Sequence, residues 1–119
     1  MARKQARYAG LTLRILGKRA AAIGPGKAEL IERIGETGSI SAAAREMRMS
    51  YRRAWQLVEA LNHDFREPVV ETATGGRRGG GARVTPFGRR IAGLYREMEA
   101  RASAAIAGDV KRFARHLRR

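Results

Sequence analysis

The sequence predicts a mainly α-helical chain with a small β component, an α+β fold. Three observations carry this. Apolar residues recur at helical spacing in PGKAELIERIGETG (25–38), SISAAAREMRMS (39–50), YRRAWQLVEALN (51–62) and again from 86 to 117. LTLRIL (11–16) and VVETA (69–73) instead read as strands. TGGRRGGGARVTP (74–86) packs five glycines and three arginines into thirteen positions, a density that gives up side-chain packing for backbone freedom. The length of 119 residues suits a single small domain able to bury roughly two-thirds of its unfolded surface.

Each element follows from local chemistry. Leu11, Leu13 and Ile15 alternate on one face of the first strand, and AAAIG (20–24) is its short partner. Pro25 suits the first helical turn, Leu30, Ile31 and Ile34 form an apolar stripe, and Gly38 is a reasonable stop. Ser41 is expected to cap a short helix whose Ala43, Ala44 and Met47 face inward. Ser50 caps the next helix, in which Ala54, Leu57, Val58 and Leu61 fall at i, i+3, i+4 and i+7. Only Arg48 to Ser50 separate the two, and small residues allow close approach. The pattern is that of a helix-turn-helix.

The Gly/Arg run lacks the lysine and hydroxyl of a phosphate-binding P-loop, and its glycine spacing misses the dinucleotide pattern. VVETA precedes it and ARVT (82–85) follows, so it sits at the tip of a hairpin directly after the helix-turn-helix. That context makes it a wing rather than a linker. Thr85 then caps a helix with Pro86 at its first position. Phe87, Ile91, Leu94, Met98, Ala102 and Ala105 form one stripe, and Ile106, Val110, Phe113 and Leu117 continue it, with a weak point at Gly108. So long a stripe implies a partner helix, and hence a homodimer. The predicted fold is a winged helix-turn-helix (11–88) with a long dimerisation helix (86–117) and basic tails at 1–10 and 118–119.

Twenty-five basic residues, twenty-one of them Arg, face eleven acidic ones, a net charge of +14. A GC-rich genome alone enriches arginine, but here the charges are placed. Residues 1–28 hold seven positive charges and no acid. Only Arg48, Arg52 and Arg53 are charged between Glu46 and Glu59, and only arginines between Glu71 and Glu97. A polyanion is the simplest partner. Cysteine is absent, and two histidines far apart in sequence are too few for a zinc site. The basic N-terminus lacks an apolar run of about 7 to 15 residues, so neither a signal peptide nor a membrane span is expected, and the chain reads as cytoplasmic. No catalytic set stands out; an enzyme is not expected.

GSIS (38–41), SYRRAW (50–55), GGRRGGGA (75–82) and VTPFG (84–88) together resemble the N-terminal DNA-binding domain of the ModE-type molybdenum-dependent transcriptional regulators. The likeness runs over about residues 11 to 100, with one extra residue in the wing. A weaker likeness is to the LysR-type regulators. The resemblance implies a DNA-binding regulator acting as a dimer on a pseudo-palindromic operator. In that family a molybdate-binding module follows the long helix; this sequence stops there, which implies a stand-alone member. No tight molybdate site and no cofactor are expected, and regulation is expected to come from a separate effector-sensing protein, from protein abundance, or not at all.

The candidate DNA-binding residues are Ser39, Ser41, Ser50, Tyr51, Arg52, Arg53, Gln56, Arg77, Arg78 and Arg83. Arg52 and Arg53 open the recognition helix, where side chains reach base edges. They also oppose the positive end of that helix's dipole, a conflict an anion would remove. Tyr51 offers a ring and a hydroxyl to the DNA, or simply fills surface; Gln56 suits adenine. Ser39 and Ser41 are caps first and phosphate ligands second. Trp55 is read as packing between helix and wing. Arg77 and Arg78 suit a minor groove or flanking phosphates. The dimer-interface candidates are Ile91, Leu94, Met98, Ala102 and Ala105. Two rivals remain open: a sequence-indifferent architectural DNA protein, and a protein-interaction adaptor.

Overall fold

A computed structural model describes residues 10–73 and 81–118. Two short antiparallel strands, β1 (Ile15–Leu16) and β2 (Ala21–Ile23), lead into three helices, α1 (Pro25–Thr37), α2 (Ile40–Glu46) and α3 (Tyr51–Asp64). A hairpin of β3 (Val70–Ala73) and β4 (Gly81–Val84) follows, then α4 (Pro86–Ala105) and α5 (Ala107–Ala114). Val70 pairs with Val84 and Ala73 with Gly81, so the hairpin is in regular register up to the tip.

The helix ends are set by the residues that favour them. Pro25 opens α1 after Gly24, and Gly38 closes it at φ 71°, its amide donating to the Ile34 carbonyl at 2.8 Å. Ser50 Oγ accepts from the Arg53 amide at 3.0 Å, and Thr85 Oγ1 accepts from Gly88 at 2.9 Å with Pro86 at the first position. Ser39, not Ser41, caps α2: its oxygen accepts from Ala42 at 3.0 Å while its backbone stays extended (φ −152°, ψ 127°). Helical geometry therefore begins at Ile40, and Ser41 already lies inside the helix, exposed.

The core joins Leu30, Ile31 and Ile34 of α1, Ala43 and Ala44 of α2, Ala54, Val58 and Leu61 of α3, Val69, Val70 and Val84 of the hairpin, and Ala92 and Tyr95 of α4. Asn62 couples α3 to the hairpin. Its Oδ1 accepts from the amides of Val69 (2.7 Å) and Val70 (3.1 Å), and its Nδ2 donates to the Val70 carbonyl (2.9 Å). The hairpin is also fixed to the start of the helix-turn-helix, where the Ala82 amide donates to the Gly38 carbonyl at 3.0 Å.

Two further expectations change. Of the stretch 11–16, only Ile15–Leu16 pairs as strand. Leu13 instead gives its carbonyl to the Tyr95 hydroxyl at 2.7 Å, which ties the incoming chain to α4. The C-terminal helix is not continuous to 117: it breaks at Ile106 (φ −117°, ψ 19°), two residues before the glycine expected to weaken it. None of the residues of α5 is buried, so no core contact holds the two axes in line.

Candidate nucleic-acid interface

The recognition helix α3 presents its two faces by simple periodicity. Ala54, Val58 and Leu61, at i, i+4 and i+7, are buried against α1 and α2, with Leu57 and Trp55 partly buried beside them. Tyr51, Arg52, Arg53 and Gln56 are left exposed at the N-terminal end. Tyr51 is 55% exposed and lies nearly parallel to Trp55, ring centroids 6.5 Å apart at 15°. Trp55 thus supports Tyr51 from the core side; this is the aromatic contact its ring makes among the described residues. Ser50 is exposed, with Oγ occupied by the cap bond, and Ser39 is half-buried in the same role. Ser41 Oγ accepts from Arg45 Nη1 at 3.4 Å.

Electrostatics divides the arginines into two groups. Arg96 clamps Glu32 through Nε and Nη2, both at 2.9 Å, and reaches Glu99 with Nη1 at 2.9 Å. The hydrogen bonds to Glu32 hold its pKa well above the ordinary arginine value. Arg33 bridges Glu29 and Glu46, each at 3.0 Å, and Arg112 pairs with Asp109. Arg83 meets Glu71 directly across the hairpin at 3.0 Å, both side chains exposed. Arg45, Arg48, Arg52 and Arg53 have no carboxylate partner among the described residues, and all four are exposed. The first turn of α3 carries no acid either. Four uncompensated arginines thus lie on the helix-turn-helix, and others without a carboxylate partner, such as Arg14, Arg66, Arg89, Arg90 and Arg101, lie elsewhere on the described chain.

Arg77 and Arg78 lie outside the described residues. At the dimerisation candidates, Leu94 is 49% and Met98 39% exposed, Ala105 is exposed, and Ile91 and Ala102 are half-buried, Ile91 against the core. Further along, Ile106, Phe113 and Leu117 are exposed as well. Among the described residues no cluster of three His, Asp or Glu side chains could hold a metal ion, and no helix is long and apolar enough to cross a membrane.

A recognition helix with an exposed basic start, a hairpin docked beside it and a long helix after the hairpin define a winged helix-turn-helix. The family model described as "Bacterial regulatory helix-turn-helix protein, lysR family" matches residues 27–89, and the chain belongs to that family. Among its relatives, the "Molybdenum-pterin-binding protein MopB" of Rhodobacter capsulatus is 45% identical over 86 residues, which is 72% of this chain and 32% of that protein. The "Molybdenum transport protein ModE" of Azotobacter vinelandii is 36% identical over 97 residues, 72% of this chain and 36% of that one. The chain thus spans about a third of the length of these relatives, and the resemblance to ModE-type regulators read from the motifs stands. In solved structures the fold matches the "CbnR_DBD-DNA complex" with a TM-score of 0.55 at 22% identity, covering 76% of this chain and 97% of that one.

Proposed function

We propose that the chain is a sequence-specific DNA-binding transcriptional regulator of the ModE type, working as a homodimer on a pseudo-palindromic operator. The observation that carries this is the exposed, acid-free start of α3, where Tyr51, Arg52, Arg53 and Gln56 stand on a helix anchored by Ala54, Val58 and Leu61. An α-helix fits the major groove, and arginine and glutamine in its first turns match guanine and adenine edges. Arg77, Arg78 and Arg83 serve a minor groove or the phosphates flanking the reading helix.

Leu94 and Met98 on α4 and Ile106, Phe113 and Leu117 beyond it are apolar and exposed, and a second copy of α4 and α5 is their cover. A dimer sets two recognition helices about 34 Å apart, one turn of DNA. The place of work is then the cytoplasm. This chain holds no tight molybdate site in the same reading, because the hydroxyls and amides at the starts of α2 and α3 are spent on caps and on DNA phosphate; a separate protein supplies any effector response.

Two measurements test this. Anisotropy titrations at one fixed salt concentration give the ratio of affinities for different duplexes, and sedimentation gives the oligomeric state. A marked preference among duplexes and a dimer are expected. Equal affinity for all duplexes favours the architectural reading that the charge of +14 also supports. A monomer both alone and on DNA refutes the dimer.

A further inference from the structure

Arg48, in the turn between α2 and α3, is the one non-glycine residue among the described residues with a left-handed backbone, φ 59°. The cause lies in how α2 ends. The Met49 amide donates to the Ala44 carbonyl at 3.0 Å and the Arg48 amide to the Arg45 carbonyl at 3.1 Å. This pair of bonds closes a helix through one left-handed residue, a place usually held by glycine because a Cβ is disfavoured there. Gly38 fills the equivalent role at the end of α1. At the end of α2 the chain keeps an arginine instead, at a cost in stability.

Packing does not explain the choice, since Arg48 is exposed. Ion pairing does not explain it either. The nearest acid in sequence, Glu46, is bonded to Arg33, and Arg48 has no carboxylate partner among the described residues. Its charge adds to those of Arg45, Arg52 and Arg53 in a stretch with no acid between Glu46 and Glu59, so it raises local repulsion as well as backbone strain. A residue kept against both terms is a candidate for function.

We propose that Arg48 grips a DNA phosphate from the turn of the helix-turn-helix, fixing the depth and register of α3 while the residues after Ser50 read bases. The inference rests on the DNA-binding reading above. Guanidinium suits the task because its planar fork takes a phosphate with two hydrogen bonds. The left-handed backbone has a part in this as well, because it sets the direction in which the side chain leaves the turn.

The test compares Arg48→Gly and Arg48→Lys with the wild-type chain on a mixed-sequence duplex, titrated by fluorescence anisotropy across a salt series, with melting temperatures taken in parallel. Arg48→Gly is expected to melt higher, since glycine relieves the left-handed position. It should nonetheless bind several-fold more weakly, with the slope of log K against log salt reduced by about 0.9, one phosphate contact. Arg48→Lys is expected to keep the wild-type slope. Wild-type affinity and slope in Arg48→Gly overturn the inference, and so does a lower melting temperature, which removes its premise. If the wild-type chain binds no duplex at low salt, the DNA-binding reading falls first and this inference with it; the two failures are therefore distinguishable.

Discussion

Replacing Gly88 with alanine is expected to destabilise the fold, although helix propensity by itself favours that change by about 1 kcal/mol. Gly88 is buried in the first turn of α4, and a Cβ built there lies 2.3 Å from the Val69 carbonyl oxygen and 2.9 Å from a Val84 methyl. Ordinary contact starts at 3.4 Å, so the helix must retreat from β3 by about an ångström. That movement strains the bond from the Gly88 amide to Thr85 Oγ1 and the bond from Thr85 Oγ1 to the Pro68 carbonyl, 2.9 and 2.7 Å long. Overpacking costs typically about 1–3 kcal/mol, and a clash with backbone sits at the upper end. Less the propensity gain, the net loss is about 2 kcal/mol, or roughly 6–12 °C in melting temperature for a chain of this size. Gly93 on the same helix has nothing within 4 Å of its would-be Cβ, so Gly93→Ala reports propensity alone and should gain about 1 kcal/mol. Thermal unfolding followed by circular dichroism at one protein concentration gives both values. A melting temperature that rises equally in the two variants would refute the packing argument.

Asn62→Ala should cost roughly 2 kcal/mol in urea unfolding, because it strips the buried Val69 and Val70 amides of their acceptor; a loss under about 0.5 kcal/mol contradicts the role given to Asn62. Burial, helped by nearby Glu99, raises the pKa of Tyr95 above 10.0. Its contribution is thus fully present below the unfolded value and lost as pH climbs through the folded one, and Tyr95→Phe should remove this part of the alkaline fall in melting temperature. Arg52→Ala or Tyr51→Ala should change which bases are preferred, at about 1–3 kcal/mol for a lost base contact, whereas Arg77→Ala with Arg78→Ala should weaken binding evenly and flatten its salt dependence. Specificity profiles that assign these two effects the other way round reverse reader and clamp.

The helix-turn-helix was legible because its signals are local. Gly38, Ser50, Thr85 and Pro86 act on the backbone within three or four residues, and the spacing of Ala54, Val58 and Leu61 sets one face. What the sequence hid depends on distant partners. Tyr95 lies one position from Leu94, yet it is the fully buried one, because α4 meets the core through the small residues Gly88 and Ala92 and leaves the larger Leu94 and Met98 outside. The stripe therefore divides, with Phe87 and Ile91 packed against the core and Leu94 and Met98 facing outward. Asn62 ends the helical run YRRAWQLVEALN, and nothing local shows its role until its bonds to Val69 and Val70 are seen. Ser39 and Ser41 are both good caps by type, and only the extended backbone at Ser39 separates them. The strain at Arg48 has no compositional trace at all.

Sequence reading by α3 is tested most directly by selecting from a pool of random duplexes with the wild-type chain and with Arg52→Ala, at one salt concentration. The wild type should enrich an inverted repeat whose half-sites are centred about 10 base pairs, or a multiple of that, apart, and Arg52→Ala should lose preference at one position in each half-site. A pool that returns no motif, or the same motif from both proteins, would contradict the assignment of Arg52 and its neighbours as the residues that read DNA.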